Sequence, residues 1–536
     1  MKRCGLRTLI GLAAISILWL IGNLLLEVQL PQQQGRYVQE SPESSAYVNT
    51  LREVFETLPT DGKENSRLNL IEDNTTAWVA RWRLLAGSRE NLDISYFILK
   101  QDIFGVAFLG HVLHKAREGL QIRILLDAIG TKMSRDISGN DYLDTLVNSE
   151  RVTVKMYRPL FFRYLDLFLT LNPAAVIASN HDKILLSDGK LALIGGRNIS
   201  KEYFSDPKDE EKAFYDTDIL FSGPRIGAAV KAAFEAEFAG EQSRNVSRES
   251  VDIMDASEDL LLAYEAMDAW LRGKPVPLKT AAEIRRKNLP WIEDLKKLPH
   301  LRGALRKTLT GKIMSEMRLL DSRTRLLKAD DPISSGLARM VRSSRHEIFI
   351  QSPYLVLSKD AITVFEKASA RGVRITVLTN SPVSSDNTLS QAFFLEQWPE
   401  LMARVPTLRL YVAGDKHNLH SKIGAIDNQL ALVGTYNLDP VSMAINSEIV
   451  AVIWSKQFSK RLLQKPRGLI AAGPPNVYEY RIARDKSGRP ERDRDGRVVV
   501  GFGPMHHSSP DQWNSVQTYW KILRGFQKLP GAKTLY

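Results

Sequence analysis

The chain has 536 residues, a single cysteine, and 73 Lys+Arg against 61 Asp+Glu, a net charge of +12. Its 44% hydrophobic and 25% charged content exclude a disordered chain, and one cysteine excludes an intrachain disulfide framework or a cysteine-rich metal site. The length suggests roughly two to four domains, and the positive balance points to an anionic partner, nucleic acid or acidic lipid, without choosing between them.

In chain order, Lys2, Arg3 and Arg7 precede Thr8–Leu26, a run of 19 uncharged residues bounded by Glu27. As a helix this run is about 28 Å long, enough for a bilayer core. No small-x-small cleavage site follows, so residues 1–30 read as an uncleaved anchor rather than a removed signal peptide. The positive front end keeps the N-terminus cytoplasmic and sends the remainder across. Residues 31–65 form a juxtamembrane segment.

Residues 66–244 read as a first lobe: a helix at Trp78–Ala86, a strand at Leu92–Ile98, a helix at Ile103–Arg117 stopping at Gly119, and a strand at Gln121–Asp127. This β-α-β rhythm predicts a parallel α/β sheet. Tyr157–Phe168 is aromatic-rich and reads either as core or as the lining of an acyl-chain entrance. Residues 245–330 are helical and basic, among them Arg285, Arg286, Lys287, Lys296, Lys297 and Lys312, which suits a solvated linker face or acidic headgroups. In a second lobe, residues 331–465, the rhythm recurs: strand Ile348–Gln351, helix Lys359–Ala370 stopping at Gly372, strand Val373–Leu378. The tail, residues 466–536, carries paired-strand candidates at Tyr478–Ala483 and Arg497–Phe502. A stripe of Trp513, Val516, Trp520, Leu523 and Phe526 follows at helical spacing, suited to core packing or to a membrane interface.

Each lobe contains one copy of a longer pattern, HDKILLSDGKLALIGGRN from His181 and HSKIGAIDNQLALVGTYN from His420. In both, Lys follows His by two, Asp by seven, Gly by fourteen and Asn by seventeen. His and Lys at i and i+2 share one face of a strand. Asp188-Gly189 and Asp427-Asn428 are hairpin-turn dipeptides, so these two Asp read as fixing the hairpins, and the returning strand brings Asn198 or Asn437 back toward the His and Lys. An imidazole can attack phosphorus, while an ammonium and an amide hold the oxygens whose charge grows in the transition state. One half-site supplies a nucleophile or a proton donor. Pairing the lobes supplies both, on opposite sides of one phosphorus. Each imidazole also needs an acceptor on its other nitrogen. Glu448, heading EIVAVIW, and Asp218, within DTDILF, are the candidates. His111 and His114 lie one helical turn apart, but no carboxylate or Cys pattern joins them, so no metal site is expected.

The paired HxKxxxxD motifs, each followed by GxxN, resemble the phospholipase D superfamily over roughly residues 70–460. GGRNISKEYF at 195–204, the apolar N-terminal segment and the basic inter-lobe region are most similar to bacterial cardiolipin synthases of the C type. The resemblance implies two pseudo-symmetric α-β-α lobes with the active site at their interface, a phosphohistidine intermediate and no cofactor. It implies His181, Lys183, Asp188, His420, Lys422 and Asp427 as the catalytic set, with Lys183, Asn198, Lys422 and Asn437 on the substrate phosphate. His181 is the preferred nucleophile and His420 the preferred acid. The implied reaction is phosphatidyl transfer to phosphatidylglycerol, from phosphatidylethanolamine or a second phosphatidylglycerol, by a protein anchored in the bacterial inner membrane with a periplasmic catalytic region and no nucleic-acid partner. Two alternatives stand beside it: a hydrolase (phospholipase or nuclease) with the same phosphodiester chemistry, and a non-catalytic binder of anionic lipid. Around the motifs, Asn180, Asp182 and Thr435 depart from the residues common at these places in the family.

Overall fold

The duplicated rhythm folds into duplicated units down to their caps. The Ile103–Arg117 helix starts at Asp102, whose Oδ1 accepts from the Phe104 and Gly105 amides, and ends before Gly119 at φ +97°. Its counterpart Lys359–Ala370 starts at Ser358, which accepts from the Ala361 amide, and ends before Gly372 at φ +82°. Both ends follow ordinary cap chemistry. The computed structural model describes residues 50–59, 65–133, 141–170, 174–246, 253–276, 290–307, 313–324 and 331–527.

The first lobe contains β1 (Asn65–Ile71), β2 (Asn91–Tyr96), β3 (Gln121–Asp127), β4 (Val152–Tyr157), β5 (Ile184–Ser187), β6 (Leu191–Gly195), β7 (Asp218–Ser222) and β8 (Ser243–Asn245). They pair in the order β1-β7-β6-β5-β2-β3-β4-β8. The second lobe contains β9 (Ile313–Ser322), β10 (Glu347–Gln351), β11 (Arg374–Thr379), β12 (Leu408–Ala413), β13 (Lys422–Ile426), β14 (Leu430–Gly434), β15 (Glu448–Trp454), β16 (Val477–Ile482) and β17 (Val500–Phe502). Their order, β9-β15-β14-β13-β10-β11-β12-β16-β17, repeats the first and adds one strand. Each sheet is mixed rather than parallel. Only β2-β3-β4 and β10-β11-β12 run parallel, because the strands that follow each His-x-Lys form a meander joined by tight hairpins.

The equivalent edge strands β1 and β9 pair antiparallel, so the two sheets join across the pseudo-symmetry axis. This differs from the boundaries read from the sequence. The second lobe's sheet begins at Ile313 instead of residue 331, and β16 of the tail extends it past residue 465. The Leu51–Glu56 helix, placed in the juxtamembrane segment, buries Val54 and Phe55 in the second lobe's core. Within the region read as a basic linker, the Ile253–Leu271 helix buries Leu260, Ala263, Met267 and Leu271 in the first lobe's core. Lys296 and Lys297 pair with Glu293 and Asp294, while Arg285, Arg286, Lys287 and Lys312 lie outside the described residues. In the tail, Trp513, Val516 and Trp520 pack on the second lobe, and the Trp520 indole donates to Glu396 at 2.7 Å.

A third apolar cluster joins the lobes, with Ile184, Leu186, Ala192, Ile194 and Ile219 on one side and Ile423, Ala431, Val433, Ile449 and Ala451 on the other. The duplicated LALI and LALV segments thus divide by strand parity. Leu191 and Leu193 face the first lobe's own core, Ala192 and Ile194 the other lobe. Among the described residues no helix is long and apolar enough to cross a membrane; Thr8–Leu26 lies outside them.

Candidate active site

Two backbone bridges, related by the pseudo-symmetry, place the histidines. Asn180 bridges Ser447 and Leu419 bridges Tyr215. The His181 amide donates to the Ser447 carbonyl at 3.2 Å, and the His420 amide to the Tyr215 carbonyl at 2.7 Å. Each bridge sets an imidazole beside the residue after its partner, a carboxylate of the opposite lobe. His181 Nδ1 lies 2.9 Å from both Glu448 carboxylate oxygens, and His420 Nδ1 lies 2.7 Å from Asp216 Oδ2. Both imidazoles are buried. With Nδ1 of each ring engaged by a carboxylate, Nε2 is the nitrogen available for chemistry.

The second carboxylate is Asp216, not Asp218, and strand register explains the difference. Gly195 pairs with Asp218, whereas the equivalent Gly434 pairs with Val450. Counting back two residues makes Asp216 the equivalent of Glu448. Asp218 instead receives Arg81 at 2.9 Å and Arg197 at 3.1 Å, both guanidinium groups wholly enclosed. It is a structural counter-ion. Gly196 leaves room for Asp216, since a Cβ there would come within 2.2 Å of its Oδ1. The equivalent residue Thr435 donates its hydroxyl to Glu448, as does Ser442 at 2.6 Å. The departure at Thr435 therefore still supplies a hydroxyl to the orienting carboxylate.

Lys183 and Lys422 are buried beside their histidines. Lys183 Nζ donates to the His181 carbonyl at 2.8 Å, and Lys422 Nζ lies 2.8 Å from His420 Nδ1 and 3.1 Å from Nε2. Asn198 is held by the Ile98 amide at 3.0 Å and by the Tyr203 hydroxyl at 3.0 Å. Asn437 is also buried, and its Oδ1 has no hydrogen-bond partner. The Tyr203 hydroxyl is 3.5 Å from His420 Nε2, and the Phe214 ring stacks on His420. Sequence reasoning missed Asp216, Tyr203 and Phe214.

Asp188 and Asp427 are elsewhere. Each sits at a hairpin tip in the left-handed region, φ +52° and +51°, and accepts three consecutive backbone amides: Arg89, Glu90 and Asn91, or Arg345, His346 and Glu347. Five residues of extended chain put Asp188 about 16 Å beyond Lys183. Neither Asp belongs to the reacting group; both fix the turn that returns the chain toward the Asn.

The electrostatics follow from burial. Burial, then Lys183, Lys422 and His420, holds the His181 imidazole well below its ordinary pKa. His420 is lowered by burial and Lys422, against the pull of Asp216. Burial brings Lys183 down to about 7 and Lys422 to about 8, and raises Glu448 to about 8. Asp216, also pushed up by burial, is pulled below its ordinary value by His420, Lys422 and Arg197. Two neutral imidazoles, Lys183 and Lys422 titrating near neutral pH, an ionised Asp216 and a Glu448 carboxyl largely protonated below about pH 8 line one buried site, an arrangement able to receive a monoanionic phosphodiester between imidazoles of opposite lobes. No group of His, Cys, Asp and Glu among the described residues is arranged to hold a metal ion.

Fold and site together define an enzyme of phospholipase D type. The family described as "Cardiolipin synthase, PLD-like domain" matches residues 82–237 and 337–467, more than half of the chain. The chain belongs to this family and is a phospholipase D-type phosphatidyltransferase. It is 26% identical over 430 residues to cardiolipin synthase C of Escherichia coli K12, covering 74% of this chain and 83% of that protein. It is 24% identical over 439 residues to an uncharacterized protein of Helicobacter pylori J99, covering 78% and 82%. Phosphatidylserine synthase of Haemophilus influenzae Rd KW20 shares the fold, with a TM-score of 0.57 at 11% identity over 91% of this chain and 99% of that one.

Proposed function

We propose that this enzyme makes cardiolipin by transferring a phosphatidyl group to phosphatidylglycerol through a phosphohistidine. The observation that carries the reading is the crossed pair of His–carboxylate contacts, His181 with Glu448 and His420 with Asp216, which makes one two-sided site from both lobes.

His181, kept neutral, attacks phosphorus through Nε2. Its ring becomes cationic as the phosphorus–nitrogen bond forms, and Glu448, in its ionised form, meets that charge through Nδ1–H. His420, protonated when the anionic phosphodiester enters and held by ionised Asp216, gives its proton to the departing glycerol or ethanolamine. Lys183, Lys422 and Asn437 hold the equatorial oxygens. In the second half His420 takes the proton from a hydroxyl of phosphatidylglycerol. That oxygen attacks phosphorus, and His181 leaves neutral. Between the halves the acceptor must reach phosphorus before water does; hydrolysis uses the same residues. The N-terminal run Thr8–Leu26 is assigned as the inner-membrane anchor, with the catalytic region periplasmic.

The test is the product formed by the full chain in mixed micelles from labelled phosphatidylglycerol, with and without phosphatidylethanolamine. Cardiolipin is expected. Phosphatidate alone would make the enzyme a hydrolase, and no turnover would make it a lipid binder. His181→Ala and His420→Ala are each expected to abolish transfer while remaining folded, and wild-type turnover in either would refute the chemistry. A C-terminal reporter active only in the cytoplasm would overturn the topology.

A further inference from the structure

The Leu160–Thr170 helix, which no step above uses, carries the largest cluster of exposed apolar side chains in the described residues. Phe161, Tyr164, Leu165, Phe168 and Leu169 are 71%, 52%, 38%, 78% and 68% exposed. Their positions, i, i+3, i+4, i+7 and i+8, form one stripe of an α-helix. The opposite face is fixed by polar contacts. Arg163 is fully buried and donates to the carbonyls of Arg158, Val176 and Ala178 and to Asp127 Oδ2 at 3.0 Å. The Asn180 amide donates to that same Asp127 oxygen, also at 3.0 Å. One carboxylate oxygen thus ties the helix to the residue preceding the catalytic His181.

The geometry points to this stripe as a membrane-docking surface that seats the active site against the lipid bilayer. This rests on the reading that the substrates are bilayer lipids. Three observations select a bilayer. The side chains are mostly aromatic, with Tyr164 providing a polar tip among Phe and Leu, the composition of an interfacial helix. The charges suit an anionic surface. The helix's one acid, Asp166, is paired with Arg158 at 2.9 Å, and exposed Arg244 lies 4.8 Å from the Phe162 ring at its border. Finally, the patch is small. Its five side chains fall well short of the 20–30 residues per side of a stable protein interface. Insertion would place lipid headgroups about one helix diameter, some 10 Å, from the segment leading into His181.

The test uses the full chain with Cys4→Ser, carrying bimane on Phe168→Cys, reconstituted in vesicles of phosphatidylglycerol and phosphatidylethanolamine. Blue-shifted emission quenched by brominated acyl chains is expected, whereas bimane on Arg489→Cys, in an exposed tail loop, stays unquenched. Equal quenching at both positions overturns the proposal. A blue shift that bromolipid leaves untouched and that grows with protein concentration overturns it in favour of a second copy of the chain. Separately, Phe161→Ser/Phe168→Ser/Leu169→Ser is expected to lower turnover of bilayer phosphatidylglycerol by about tenfold or more, through lost apolar insertion, while sparing turnover of dispersed short-chain phosphatidylglycerol. Equal losses on both substrates would show a merely structural helix and overturn it. Absence of any turnover in the parent chain would count against the catalytic reading alone, since the bimane measurement needs no chemistry.

Discussion

Asp216 and Asp218 are two residues apart on one face of the chain, yet they have different duties, and substitution separates them. Asp216→Asn keeps shape and removes the charge that holds His420 Nδ1–H. Transfer should fall on the order of a thousandfold, as expected for loss of a histidine's orienting carboxylate, with a smaller loss of melting temperature than in Asp218→Asn. Asp218→Asn strips the counter-charge from two enclosed arginines, Arg81 and Arg197. Removing one partner of a buried ion pair costs about 3–5 kcal/mol, so this variant should lose stability in denaturant melts before chemistry. The lysines set a second expectation. Lys183 and Lys422 are lowered to about 7 and about 8, so raising pH through that range removes the charges that bind phosphate. kcat/KM, which reports the free enzyme, should fall with rising pH, first as His420, lowered by burial, loses the proton that it must donate, and further above about pH 7–8 as the lysines lose theirs. A bound phosphodiester favours the protonated amines, so the alkaline limb of kcat should lie at higher pH. Coincident limbs in a full pH profile would show that these amines do not face the substrate.

At the scale of elements, the hairpins explain why the motif has its seventh residue. Asp188 and Asp427 cap three amides each from a left-handed turn position. Asp188→Ala should cost about 1–3 kcal/mol at roughly one per lost hydrogen bond, read as a lower melting temperature, with kcat unchanged at temperatures where the variant is folded. A collapse of kcat without a loss of stability would return this residue to the reacting group. The two His–Lys pairs that the fold buries side by side were legible in the sequence because phosphoryl chemistry restricts the residue types and the hairpin restricts their spacing. The carboxylates were legible only in part. Glu448 follows Asn437 by eleven residues, whereas Asp216 follows Asn198 by eighteen, and both Asp216 and Asp218 stand at the head of an apolar strand with the same parity. Only the pairing of Gly195 with Asp218, against that of Gly434 with Val450, identifies the right one. The same limit hid the second lobe's first strand. β9 matches β1 by its neighbours in the sheet, and sheet neighbours are long-range facts.

Across the whole molecule, the crossed contacts make activity a property of one intact chain. Neither lobe holds its own histidine's carboxylate. The lobes are fastened by the β1–β9 ladder, the apolar cluster between Ala192–Ile194 and Ala431–Val433, and the two backbone bridges. Exchanging a lobe with a second molecule would require all three to open before they re-formed between chains. If the site is closed within a chain, every molecule of a His181→Ala variant and every molecule of a His420→Ala variant carries a damaged site. Mixing the two, or expressing them together, should then restore no transfer. A site built between chains behaves differently: random association would return intact pairs, and up to about one quarter of wild-type activity would reappear, as expected for two equivalent lobes meeting across a twofold interface. Measuring cardiolipin formed by the co-expressed pair against each variant alone decides between the two. Recovery above background would mean that the pseudo-twofold seen here inside one chain is completed by another.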